Sequence, residues 1–294
     1  MPKIILSVVL GTYNRKNFLK LTINNIREEL KRFGLKSEII VVDGGSTDGT
    51  IKWLTKQKDI ISIIQYNRGF WNGEKIERRS WGYFMNLGLK CAQGKYICMI
   101  SDDCLLIPNS IVNGYEFFEE KLNSGEKAGA LAFYWREWPQ EKNMPYRIGT
   151  VFNQMFVNHG MYLKKALEDV GYIDEENYKF YCADGDLCLR LKQVGYSCFA
   201  SPNSYVEHYS HANLNVRKSN LTNAKTDQDY FYKKWDNNTC ISNAKLNYPE
   251  IKSFKDKYNT GSKFKSAELK SFGIMKNKII SSSRNFIKRH FIEI

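Results

Sequence analysis

Short runs of aliphatic and β-branched residues alternate with longer segments of helical spacing through the first hundred positions. Residues 4–10 (Ile-Ile-Leu-Ser-Val-Val-Leu) read as a buried strand. Residues 17–33 follow, with Phe18, Leu21, Ile26 and Leu30 recurring between charged positions at the spacing of one helical face. Residues 38–42 form a second predicted strand. Residues 47–56 form a second helix with Ser46 or Thr47 near its N-cap, and residues 60–66 a third strand. Residues 79–91 are helical and Gly94 closes that unit. Residues 96–100 form a fourth strand that runs straight into Ser101-Asp102-Asp103.

This order predicts an α/β fold with a mostly parallel central sheet and helices on both faces. Ligands of such sheets bind beyond the carboxyl ends of the strands. Those ends carry Thr12-Tyr13-Asn14, Asp43-Gly44-Gly45-Ser46 and Asp102-Asp103, so polar and acidic residues gather at one rim. The second part is less regular. Residues 128–134 read as a strand, 135–147 as a loop rich in Trp and charge, 164–170 and 186–194 as helices, and 205–208 as the end of a strand. Beyond residue 212 the chain becomes rich in Asn, Lys and Ser.

Four segments could hold chemistry. Asp43 at a strand end, followed by glycines, could accept from a pyrimidine ring N–H while the backbone approaches the base. The same residues also suit a plain strand-to-helix turn. Asp102 and Asp103 repel one another unless a cation or donor offsets them, and a divalent ion shared with substrate phosphates would do so. A solvated turn is the bland alternative. Asp184 precedes an amphipathic helix and could take a proton from an attacking hydroxyl. Asp186, two positions on, suits helix capping or a pair with Arg190 at i+4. His208 gains weight as a metal ligand only if a metal site lies nearby.

Composition changes the picture in three ways. Hydrophobic residues make up 43% of the chain, which supports a full core. The net charge of +13 sits mainly in the tail: residues 211–294 hold 17 Lys/Arg against 7 Asp/Glu, and the rest hold 27 against 24. Such a tail could meet nucleic acid, an anionic membrane or an acidic polymer. The seven cysteines show no Cys-x-x-Cys spacing, which argues against a disulfide framework or a zinc site and fits a reducing cytosol. No apolar run reaches the roughly 18 residues of a spanning helix.

Taken in order, these segments resemble family 2 glycosyltransferases over about residues 4–210. Ser7-Val8-Val9 leading to Thr12-Tyr13-Asn14-Arg15 looks like the family's opening strand. Asn86-Leu87-Gly88-Leu89 with Gly94-Lys95-Tyr96 looks like its helix before the metal motif. Val170-Gly171-Tyr172-Ile173-Asp174-Glu175 and Leu187-Cys188-Leu189-Arg190-Leu191 resemble the turn and helix around its catalytic loop. The resemblance implies a GT-A type fold. It implies a catalytic domain over residues 1–212, with a nucleotide-sugar half at 1–104 and an acceptor half at 105–212, and a basic, helical C-terminal extension over 213–294.

By the same resemblance, Thr12, Tyr13, Asn14, Asp43 and Ser46 lie around the base and ribose of a nucleotide-diphosphate sugar, and Asp102 faces the donor ribose or sugar. Asp103 and His208 hold a divalent metal, manganese or magnesium, and Asp184 is the base of an inverting transfer to an acceptor hydroxyl. The expected acceptor is a glycan or glycolipid of surface polysaccharide synthesis, in the cytoplasm or at the inner face of a membrane; nucleic acid is not an expected partner. Several residues depart from the family pattern. Ser101 stands where an acid is usual, Gly44 where Asp or Asn is common, Ala183 where an acid precedes the base, and Met85 where Arg is frequent.

Trp135, Trp138, Tyr146 and Phe152 could stack on an acceptor sugar or fill the core. Residues 272–294 read as a basic amphipathic helix, suited to an anionic membrane surface, to the catalytic domain or to a subunit interface. Two rivals stand beside the enzyme reading. A nucleotidyltransferase would want a Gly-rich basic loop after the first strand, and Gly11-Thr12-Tyr13-Asn14-Arg15 is a poor one. A non-catalytic binding homologue would explain the missing acids at 101 and 183.

Overall fold

A computed structural model describes residues 3–152, 154–209, 220–235 and 247–267. The amphipathic stretch 272–294 lies outside the described residues. In chain order the strands are β1 (Leu6–Thr12), β2 (Ser37–Asp43), β3 (Ile60–Ile64), the hairpin β4 (Phe70–Trp71) and β5 (Glu74–Lys75), β6 (Tyr96–Met99), β7 (Cys104–Leu106), β8 (Ala128–Glu137), β9 (Tyr146–Val151), β10 (Gln154–Met155), β11 (Gly160–Leu163), β12 (Ser197–His208) and β13 (Asn247–Lys252). The helices are α1 (Lys16–Phe33), α2 (Thr50–Leu54), α3 (Trp81–Cys91), α4 (Ser110–Asn123), α5 (Lys164–Asp169), α6 (Ala183–Gln193) and α7 (Ala224–Trp235).

The main sheet runs β10-β9-β8-β11-β6-β1-β2-β3. Strands β6, β1, β2 and β3 are parallel, as the alternating pattern predicts. β11 then inserts antiparallel between β6 and β8, β12 lies parallel to β8 and antiparallel to β7, and β13 adds to β9. β1 is buried on both faces, which explains its unbroken apolar run. Val8 and Leu10 join one core with Leu19, Ile23, Ile111 and Phe118, while Val9 joins the other with Met85 and Leu89. In register, Thr12 stands beside Asp43 and Val9 beside Met99, so the predicted strand-end residues share one rim.

The inner face of α1 also has a polar stripe at 3- and 4-residue spacing. Thr22 Oγ1 donates to the carbonyls of Asp102 and Cys104. Asn25 exchanges two hydrogen bonds with the backbone of Leu106, and Glu29 accepts from the N–H groups of Asn109 and Ile111 at the start of α4. These buried bonds fix the segment that presents Asp102 and Asp103.

Three expectations are corrected. Residues 135–137 are not loop. They extend β8, because Arg136 forms a buried ion pair with Glu207 on neighbouring β12 and so needs no solvent; residues 146 and 147 likewise open β9. The second helix shrinks to Thr50–Leu54, since the preceding Gly49 is in the left-handed region at φ 87° and Asp48 caps Thr50. Helix α6 starts at Ala183 after Cys182 turns through φ 66°, so Asp184 stands in its first turn rather than before it. The aromatics Trp135, Trp138, Tyr146 and Phe152 are core residues. Beyond residue 212, α7 buries Phe231 and Trp235 against the main core, and Phe264 and Ala267 pack with Phe18 and Trp138.

Candidate active site

The rim is organised around Arg15, the first residue after the β1 turn. Its Nη1 donates to Asp102 Oδ1 at 2.8 Å and to Asp103 Oδ2 at 2.7 Å, and Thr12 Oγ1 donates to Asp102 Oδ2 at 2.7 Å. Burial opposes the Arg15 charge, but the two carboxylates outweigh it and raise its pKa. The carboxylates diverge. Burial raises Asp102 to about 6, against the pull of Arg15. Burial also pushes Asp103 up, but Arg15 and then His208 outweigh it and hold Asp103 well below the usual range.

Beside this pair opens a cavity of about 200 Å³. Thr12, Tyr13, Asp102 and Met85 line it from the sheet side, and Asn158, Lys179 and Phe180 from the side leading to α6. Arg15, Arg68, Arg78, Arg79 and Lys179 face it with Asp102 as the one carboxylate among its lining residues. Arg68 stacks on the Tyr13 ring at 4.7 Å. Burial, then the proximity of Arg68, lowers the pKa of Arg78, which donates to Asn220. Guanidinium groups crowded in this way favour an anion between them, and planar guanidinium is well matched to phosphate oxygens. A larger hollow of about 750 Å³ lies between residues 136–145 and 253–265 and uses none of the strand-end residues.

Asp43 is fully buried, and its Oδ1 accepts from the N–H groups of Gly45 and Ser46, while Oδ2 has no hydrogen bond. Gly45, at φ 85°, passes so close to Tyr66 that a Cβ would lie 2.7 Å from its ring. Ser46 Oγ accepts from Asn14 N, and Asn14 Oδ1 accepts from Thr47 N, so these two residues lace the first and second strand-end loops together. Of the sequence-predicted residues, Thr12, Tyr13 and Asp102 line the cavity. Asn14, Asp43, Ser46, Asp103, Asp184 and His208 are not among its lining residues.

Asp184 is partly exposed in the first turn of α6, where its Oδ1 accepts from Gly185 N at 2.9 Å. Burial raises its pKa, against the lowering by that backbone bond. Asp186 is structural: it accepts from Arg190 Nε at 2.7 Å, as the i+4 spacing predicts, and from Trp235 Nε1 at 3.0 Å. The loop between cavity and helix is held by Asp227 on α7. Its carboxylate accepts from the N–H groups of Lys179, Phe180 and Tyr181 at 2.8–2.9 Å. Replacing Asp227 with Ala is expected to lower kcat about tenfold to a hundredfold, through displacement of the loop that leads to Asp184. Steady-state kinetics beside a circular-dichroism check of folding would measure it.

Asp103 Oδ1 is buried 3.5 Å from His208 Nε2 with no shorter hydrogen bond, and His208 Nδ1 is buried without a partner. An unbonded carboxylate oxygen facing Nε2, and an imidazole whose other nitrogen is also unpartnered, leave oxygen and nitrogen donors of the kind a cation takes. Sequence reasoning missed the basic lining, Asp227, and two further neighbours of His208, namely His159 and Cys104. The Arg78-Arg79 pair in a long strand-to-helix connection was the one local signal among them.

A mixed, largely parallel curled sheet flanked by helices, with carboxylates at its strand ends, defines the GT-A class of folds. Solved structures agree. S. aureus TarS 1-349 superposes with a TM-score of 0.54 at 16% identity, covering 70% of this chain and 61% of that one. The mannosyltransferase PcManGT from Pyrobaculum calidifontis, in complex with GDP-Man and Mn2+, gives 0.52 at 19% identity, covering 71% and 57%. The model of Glycosyl transferase family 2 matches residues 7–173, and the chain belongs to that family. An uncharacterized glycosyltransferase of Rickettsia bellii (strain RML369-C) is 32% identical over 117 residues, 39% of this chain and 15% of that protein. One of Haemophilus influenzae (strain ATCC 51907 / DSM 11121 / KW20 / Rd) is 30% identical over 121 residues, 40% and 33%. The match thus spans a minor part of each relative's length.

Proposed function

We propose that the protein transfers a sugar from a nucleoside-diphosphate donor to an acceptor hydroxyl with inversion, in the synthesis of a surface polysaccharide or glycolipid. The observation behind this reading is the cationic cavity at the strand ends, bounded by Asp102 on one side and the loop to Asp184 on the other. Its neighbours by fold include TarS in complex with UDP-GlcNAc and PcManGT in complex with GDP-Man and Mn2+, which supports a nucleotide-sugar donor.

In this reading Arg68, Arg78 and Arg79 hold the diphosphate, and Thr12 and Tyr13 border the nucleoside. Asp103 and His208 would hold a divalent cation, which would supply positive charge for the leaving diphosphate. Asp184 accepts the proton of the acceptor hydroxyl as it attacks, and Asp227 keeps the adjoining loop in place. Among the described residues no helix is long and apolar enough to cross a membrane.

Thermal-shift titration with UDP, GDP and the other nucleoside diphosphates tests the proposal. One of them is expected to raise Tm in a concentration-dependent way. Arg68→Ala and Arg78→Ala should each weaken that ligand roughly tenfold to a hundredfold, the usual worth of a charge-assisted hydrogen bond. Absence of any response across the series would contradict it.

A further inference from the structure

Behind the cavity, three chain segments bring soft metal-binding side chains to one point. Cys104 opens β7, directly opposite His208 in the antiparallel pairing with β12. His159 immediately precedes β11, and Gly160 makes that placement feasible: a Cβ there would lie 1.9 Å from the carbonyl oxygen of Leu131. Cys104 Sγ lies 3.7–3.8 Å from the ring nitrogens of His159. The rings of His159 and His208 are 5.1 Å apart, and one donor atom from each of Cys104, His159 and His208 falls within 4.8 Å of the others. Trp135 packs edge-on against both histidines.

We infer that Cys104 and His159 join His208 in holding the cation, with the Asp103 carboxylate 3.5 Å from His208 as its neighbouring counter-charge, which makes this a site for a zinc-like ion rather than for magnesium. The inference rests on the reading that Asp103 and His208 bind a metal, and it adds the donor set and the class of ion.

Four observations support it. Zinc–sulfur bonds of about 2.3 Å and zinc–nitrogen bonds of about 2.0 Å place two donors of one tetrahedral ion roughly 3.5 Å apart, close to the Cys104–His159 separation. Thiolate and imidazole favour zinc or cobalt(II), whereas magnesium takes oxygen ligands and retains water. Cys104 is 0% and His159 1% exposed, so the corner offers little room for a hydrated ion. Charge is also partly balanced: a Cys104 thiolate offsets one charge of a divalent ion, and the Asp103 carboxylate, shared with Arg15, offsets part of the other. The ion would then belong to the folded protein and would not depend on donor for its binding. That arrangement fits a loop with Ser101 where a further acid is usual, and a cavity whose diphosphate ligands are mainly arginines.

Cobalt(II) titration of the full-length, chelator-treated protein tests this by absorbance. Without nucleotide, cobalt is expected to produce both visible d–d bands and a near-ultraviolet thiolate-to-cobalt charge-transfer band at about one equivalent, and excess magnesium should displace neither. The near-isosteric Cys104→Ser variant should lose the charge-transfer band. His159→Ala should weaken cobalt binding on the order of tenfold or more. Visible bands without charge transfer in the wild-type protein, or binding that requires a nucleoside diphosphate, would overturn the extended donor set while leaving the Asp103–His208 cation in place. No cobalt binding with or without nucleoside diphosphate would overturn both.

Discussion

Asp184→Asn is expected to lower turnover by roughly 10²- to 10⁴-fold, the range of a lost general base, while leaving nucleotide affinity unchanged. The amide keeps the shape of the carboxylate and can still accept from Gly185 N, so the first turn of α6 is preserved. What it loses is the ability to take a proton. Burial raises the Asp184 pKa, which makes the carboxylate a stronger base than an exposed one. A base must be ionised to act. Activity of the natural protein should therefore fall as pH drops through that raised value, at a pH above the ordinary aspartate pKa of about 3.9. Initial rates of sugar transfer across the acid range, for both proteins, would measure the loss and the limb together. Full turnover by the variant would remove Asp184 from its role.

Glu207→Ala is expected to destabilise the fold by about 3–5 kcal/mol. Glu207 is fully buried, accepts from Arg136 Nη2 at 2.6 Å and from Tyr146 OH at 2.7 Å, and lies next to His208 on β12. Truncation would leave the buried Arg136 guanidinium without its counter-charge, which costs more than the pair contributes. The double change Arg136→Met with Glu207→Leu should recover most of the loss, because neither charge is then stranded. Urea unfolding of the natural protein and of both variants would decide. A loss below about 1 kcal/mol for Glu207→Ala would mean that water reaches Arg136.

The parallel half of the fold was legible because its strands are buried on both faces and read as unbroken apolar runs, as in Val8-Val9-Leu10 and Ile39-Ile40-Val41-Val42. The end of β8 was not, because Arg136 and Glu137 look like solvent residues until Glu207 is placed 71 positions away beside Arg136. Nor does any cap residue announce the start of α6, since Cys182 makes the left-handed turn there. The site divides in the same way. Strand-end residues such as Thr12 and Asp102 followed from topology alone, whereas the polar stripe of α1 looked like an ordinary amphipathic helix. Asp227 sits in a stretch whose Lys and Asn content resembles a solvated tail, and its carboxylate meets residues 179–181 only in three dimensions. His159 and Cys104 each lack any local pattern, and the absence of Cys-x-x-Cys spacing argued against the kind of centre they form with His208.

The arrangement most central to this account is a donor diphosphate set among Arg68, Arg78 and Arg79 with Asp184 across from it. A crystal structure with a nucleoside-diphosphate sugar tests it most directly. The account predicts phosphate oxygens within hydrogen-bond distance of Arg68 or Arg78 and the Asp184 carboxylate facing the anomeric carbon from the side opposite the diphosphate. A nucleotide bound instead in the hollow between residues 136–145 and 253–265, with the arginines turned away from it, would contradict the account.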